Sequence, residues 1–121
     1  MAANNNLKIA VVEDDKDLSI IYSKFIERLG YPNPSMFQDG TSIINALTRD
    51  RQSFDVIIMD YQIPEMNGIE AARIVQRYRK ETKIILATGL ASVEQDAIAA
   101  GLPLLMKPFS AEQLAKSLEI T

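Results

Sequence analysis

Asp60 follows an apolar run, Phe54-Asp55-Val56-Ile57-Ile58-Met59, and opens a turn-rich stretch, Asp60-Tyr61-Gln62-Ile63-Pro64-Glu65-Met66-Asn67-Gly68. A second run, Leu7-Lys8-Ile9-Ala10-Val11-Val12, ends in three acids, Glu13-Asp14-Asp15. Ile84-Ile85-Leu86-Ala87 ends in Thr88, and Leu104-Leu105-Met106 ends in Lys107. Carboxylates, a hydroxyl and an ammonium thus close four strand candidates. Two carboxylates about 4 Å apart repel by roughly 4 kcal/mol at an effective dielectric near 20. A cluster of Glu13, Asp14 and Asp60 would have to hold protons or recruit a cation. Hard oxygen donors without His or Cys favour Mg2+ or a similar ion. A hydroxyl and an ammonium facing a metal-bound carboxylate can stabilise a phosphoryl group in transfer, and the carboxylate can be the nucleophile. A lone acid after a strand is more simply a helix cap, and a lone lysine a solvated surface group. The shared position of all these residues favours chemistry over either bland reading.

Positioning them requires strands whose C-terminal ends meet. Five short apolar runs alternate with five helical patterns, which predicts an α/β fold with a doubly wound parallel sheet and right-handed crossovers. In such sheets the strand ends converge on one crevice. The runs at Val56–Met59 and Ile84–Ala87 are continuously apolar, as expected for strands covered on both faces. Leu18, Ile21, Tyr22, Phe25, Ile26 and Leu29 mark a first amphipathic helix, with Gly30 placed to end it. Pro32 and Pro34 precede a strand candidate at Ser35–Phe37, which predicts a sheet edge. Asp39-Gly40 reads as a turn before a helix carrying Ile43, Ile44, Ala46 and Leu47. Gly68 leads into a third helix, with Ala71, Ile74, Val75 and Tyr78 on one face. Ser92-Val93-Glu94-Gln95 and Ser110-Ala111-Glu112-Gln113 fit capping boxes opening a fourth and a fifth.

The chain has 121 residues, the size of one domain, and a net charge of -3, which argues against direct nucleic-acid binding. It has no Cys and no His, which excludes disulfides, thiolate chemistry, His-dependent triads and a phosphohistidine-carrier role. No segment reaches the roughly 18 apolar residues of a membrane span. Residues 1–6 lack the pattern of a signal peptide and read as a disordered lead-in to a single unit at 7–121, with a cytoplasmic location expected.

Val11-Val12-Glu13-Asp14-Asp15, the Asp60 to Gly68 stretch, Ala87-Thr88-Gly89 and Lys107-Pro108-Phe109 together resemble the receiver domain of two-component response regulators. The four motifs come in the right order from about Leu7 onward, as in the single-domain chemotaxis type. The resemblance implies a three-layer flavodoxin-like (βα)5 fold with strand order 2-1-3-4-5. It implies Asp60 as phospho-acceptor, with Glu13, Asp14, Asp60 and the main-chain carbonyl of Gln62 as ligands of Mg2+. Thr88 would bond the phosphoryl oxygen and Lys107 would pair with it. The donor would be a phosphohistidine on a sensor histidine kinase or phosphotransfer protein. The output would be a protein-interaction surface on the fourth helix, fifth strand and fifth helix. Such a domain catalyses only its own phosphoryl transfer and autodephosphorylation. The chain departs from the family pattern with Ile63 where methionine is commoner and Leu104 where an aromatic switch residue is usual. Its Gly101–Lys107 stretch is also one residue short.

The alternative is a phosphate-independent interaction module on the same fold, though such modules usually lose the acceptor Asp or the Lys. An aspartyl-nucleophile phosphatase needs an acid two residues after the nucleophile, where this chain has Gln62. A flavin-binding protein would place a phosphate loop where Glu13-Asp14-Asp15 repels phosphate.

Overall fold

The computed structural model describes residues 6–119, so the expected lead-in lies, Asn6 apart, outside the described residues. Five strands, β1 (Ile9–Val12), β2 (Ser35–Phe37), β3 (Val56–Asp60), β4 (Lys83–Thr88) and β5 (Leu104–Met106), alternate with five helices. The helices are α1 (Lys16–Arg28), α2 (Gly40–Thr48), α3 (Gly68–Tyr78), α4 (Glu94–Ala99) and α5 (Ala111–Leu118). The strands form one parallel sheet of order β2-β1-β3-β4-β5, with the proline-preceded β2 on the edge. This is the doubly wound parallel sheet expected from the alternation, in the flavodoxin-like strand order that the resemblance implies.

Side chains alternate along each strand, so each sheet face builds its own core. Ile9, Val11, Val56, Ile58, Ile85 and Leu105 face α1 and α5, where Tyr22, Ile26, Leu114 and Leu118 cover them. Ala10, Val12, Ile57, Met59, Ile84 and Leu86 face α2, α3 and α4. The alternation puts Asp60, at the end of β3, and Glu13 and Lys107, just past β1 and β5, on the α1/α5 side, and Thr88, at the end of β4, on the other.

Caps fix where the helices begin. Asp15 caps α1 by accepting from the Asp17 and Leu18 backbone N–H groups, and Asn67 and Glu70 form a capping box on α3. Ser110 and Gln113 form the box expected on α5. The box expected at Ser92–Gln95 does not form; a 3₁₀ turn at Ala91–Val93 runs into α4 with no side-chain cap. Asp39-Gly40 is not a separate turn: Asp39 is the N-cap of α2 and Gly40 its first residue. Gly30 (φ 90°) and Gly101 (φ 71°) turn the chain out of α1 and α4 in the left-handed region that glycine adopts without strain. Two residues read as helix-face apolar, Ile21 and Tyr78, are exposed instead.

Candidate functional site

Parallel pairing sets the site's frame. β1 and β3 are neighbours in register, with Val12 opposite Met59, so the residues that follow, Glu13 and Asp60, emerge side by side. β4 lies on the other side of β3, with Ala87 opposite Asp60. β5 completes the sheet, and the Lys107 N–H donates to the Thr88 carbonyl at 2.9 Å. The polar residues that close these strands thereby meet at one end of the sheet.

Glu13, Asp14 and Asp60 each offer a carboxylate oxygen within 4.8 Å of the others. The Lys107 ammonium lies 2.7 Å from Glu13 Oε1 and 3.0 Å from Asp60 Oδ1. The second Glu13 oxygen, Oε2, accepts from the Asp15 N–H at 3.2 Å. Glu13 and Asp60 are buried, whereas Asp14 is exposed and engages no described residue in a hydrogen bond or ion pair. Capping of α1 falls to Asp15, which leaves Asp14 free of that task.

Burial pushes the Glu13 carboxyl above its usual 4.5; the hydrogen bond from Lys107 opposes this and the charge of Asp60 reinforces it. Burial alone would lower the Lys107 ammonium. Its hydrogen bonds to Glu13 and then Asp60, with their charges, outweigh burial and hold it above 10.5. Beside it, burial raises the Tyr22 phenol above 10 against the pull of the Lys107 charge.

Thr88 is buried at the end of β4, where its hydroxyl accepts from the Leu90 N–H at 3.1 Å. It makes no described bond to the carboxylates. Gln62 is exposed in the β3–α3 loop, paired with Asn67 across a single bridge, and lines the same hollow as Asp14. Glu13, Asp14, Asp60 and Lys107 therefore form one constellation, with Gln62 and Thr88 at its margins.

By its place in the sequence Lys107 is expected to pair with a phosphoryl group, with no partner in the chain itself; the structure ties it to Glu13, 94 positions away, and to Asp60. Tyr22 reads in the sequence only as a core position of the first helix. Tyr22 stacks on Phe109 with centroids 4.7 Å apart and lies under the Lys107 ammonium. No local pattern separates such a residue from the other apolar positions on its helix.

Oxygen donors alone make up the acid cluster, Asp14 is unengaged, and the Gln62 loop borders the same hollow, so these residues fit a hard divalent cation. The family described as response regulator receiver domain has a model that matches residues 9–119. Response regulator receiver protein CpdR of Brucella abortus (strain 2308) is 32% identical over 116 residues, covering 93% of each chain. The BeF3-activated receiver domain of DrrB superposes with a TM-score of 0.79 at 32% identity, covering 93% of this chain and 94% of that one. The receiver domain of a sensor histidine kinase from Pseudomonas aeruginosa PAO1 gives a TM-score of 0.82 at 26% identity, covering 93% and 94%. That structure carries a magnesium ion coordinated in its active-site cleft.

Proposed function

The chain belongs to the response regulator receiver domain family, and on that premise we propose that it is a phosphorylation switch whose acceptor is Asp60. The observation that carries this reading is the Lys107 ammonium held between Glu13 and Asp60, with Asp14 left unengaged beside them.

The donor is a phosphohistidine on a sensor histidine kinase or phosphotransfer protein. An Asp60 carboxylate oxygen attacks phosphorus, the P–N bond breaks, and its electron pair leaves with the imidazole, which takes up a proton. Glu13, Asp14, Asp60 and the Gln62 carbonyl would hold Mg2+, which when bound would supply positive charge to offset that of the phosphoryl group. Lys107 already touches Asp60, so it needs only a small movement to follow the charge from carboxylate to phosphoryl oxygen. The Thr88 hydroxyl accepts from Leu90 but still has its own proton to donate. The chain runs from Thr88, the last residue of β4, toward α4 and from Lys107, just past β5, toward α5, which supports α4, β5 and α5 as the output surface.

The test is intact mass after incubation with a small acyl-phosphate donor and Mg2+. The parent gains one phosphoryl group, Asp60→Asn gains none, and excess chelator suppresses the gain. Phosphate that still appears on Asp60→Asn, or that ignores chelation, overturns the assignment.

A further inference from the structure

Lysine carries its charge on a flexible four-carbon stem, so a lysine that must change partners is poorly placed unless something else confines it. In this chain the two carboxylates confine Lys107 as long as both are free. On the proposed function, on which this inference rests, one of them becomes the acyl phosphate, and the clamp loses an arm at the step where placement matters.

A third restraint is built into α1. The Lys107 ammonium sits 5.9 Å from the centroid of the Tyr22 ring, within the range of cation–π attraction. The ring cannot swing away, because Tyr22 is 5% exposed and stacked on Phe109 at 4.7 Å and 22°. Phe109 is itself buried and lies two residues beyond Lys107. Tyr22 thus contacts both residues that flank Pro108, one through the face of its ring field and one by stacking. Leu18, Ile21 and Phe25 of α1 line an apolar groove with Tyr22, Lys107 and Phe109.

We infer that Tyr22 is a positioning residue for Lys107: its Phe109-braced ring keeps the ammonium beside Asp60 through phosphoryl transfer, independently of the carboxylates. It touches neither donor nor metal. The ring carries this role, and the hydroxyl, which also interacts weakly with Lys107, is the lesser contributor.

The experiment compares Tyr22→Phe, Tyr22→Leu and Tyr22→Met in the full chain. Met is flexible and apolar and serves if the branched Leu does not fold. One arm follows phosphorylation by a small acyl-phosphate donor in saturating Mg2+. The other records NMR shifts of the Lys107 side chain with neither metal nor donor present. Tyr22→Phe keeps the parent rate and shift. Tyr22→Leu and Tyr22→Met lose the ring-current shift and slow phosphorylation by roughly three- to ten-fold, the range a cation–π contact supports, with Mg2+ affinity unchanged. A parent-like rate or an unmoved Lys107 signal in the ringless variants overturns the inference, and so does a Tyr22→Phe variant as slow as Tyr22→Leu. If the parent accepts no phosphate at all, the proposed function fails instead, and the NMR arm still decides the contact.

Discussion

Replacing Lys107 with methionine keeps an apolar stem against Tyr22 and removes only the charge. It leaves Glu13 and Asp60, whose side chains are 2% and 8% exposed, facing each other without a cation. At an effective dielectric near 20, ion pairs at 2.7 and 3.0 Å each carry a gross attraction of roughly 5 to 6 kcal/mol. Desolvation offsets most of that, so the net loss follows the cost of orphaning buried charge, about 3 to 5 kcal/mol. Two features favour the lower end. Lys107 keeps 17% of its side chain in water, and Glu13, already raised, can take up a proton rather than stay charged. The expected loss is therefore about 3 kcal/mol in chelator at neutral pH. A divalent cation can replace the missing charge, and a ligand at a hundred times its Kd stabilises by about 2.7 kcal/mol. Urea unfolding of parent and variant, in chelator and in excess Mg2+, measures both effects. The parent binds the cation too, but the variant lacks the competing ammonium and should bind it more tightly, so the gap should narrow when Mg2+ is added, by about 1.4 kcal/mol for each tenfold difference in Kd. A variant as stable as the parent in chelator, or a gap that Mg2+ leaves untouched, refutes the picture of a lysine standing in for a cation.

Three further outcomes follow from single contacts. Gly68→Ala should cost about 2 kcal/mol or more, because an added Cβ meets the Asp60 carbonyl and lies 2.9 Å from Leu86 Cδ1 and Tyr61 Cα; a urea midpoint equal to the parent's would show that the β3–α3 junction yields. Asp39, held below 3.8 by hydrogen bonds from the Ser42 side chain and then its N–H, caps α2, so Asp39→Ala should cost about 1 kcal/mol at neutral pH. A depressed carboxyl stabilises above its unfolded pKa, so the gap should close as pH falls from 3.8 through the lowered value; a gap constant with pH in unfolding curves would contradict this. Thr88→Val removes the acceptor that holds the Leu90 N–H, so NMR changes on adding beryllofluoride should reach Leu90–Ala99 in the parent and stop short of it in the variant; equal spread would detach Thr88 from the response.

The strand ends were legible because an apolar run that stops at a polar residue marks both the strand and its exit, and Glu13, Asp60, Thr88 and Lys107 each do so. Strand alternation was legible too, but it places Glu13, Asp60 and Lys107 on one side only once β1, β3 and β5 are known to share a parallel sheet. The α4 cap was misread for a local reason. A capping serine needs extended backbone, whereas Ser92 lies inside a 3₁₀ turn. The extended residue at that entry is Leu90 (φ -95°, ψ 110°), which has no side-chain acceptor. Tyr22 and Phe109 are spaced like any core pair. Their place beside Lys107 depends on how α1 rolls against the β5–α5 loop, a tertiary fact with no local signal.

That uncapped entry bears on how a change at Asp60 travels. Helix α4 has six residues, and Ala97 is its one buried side chain. With no side chain to satisfy its first N–H groups, α4 is among the least anchored elements beside the site, the kind that opens or shifts at low cost. Its approach is held by the buried Val93 side chain, the Val93 N–H bonded to the Leu90 carbonyl, and the Leu90 N–H bonded to the Thr88 hydroxyl. Donating to a phosphoryl oxygen need not break that bond, because one hydroxyl can donate and accept at once. Movement of Thr88 toward Asp60 would then draw Leu90 along and pull on the start of the 3₁₀ turn. Gly89, between them, has no neighbour closer than 3.8 Å to the position of a Cβ, so the backbone has room to follow. Leu104, half-buried on the α3/α4 side of the sheet, has no aromatic ring to swing into space that Thr88 vacates. On the proposed reading, the chain can therefore dispense with an aromatic switch because the coupling runs through the backbone, from the Thr88 hydroxyl to a helix that no side chain caps.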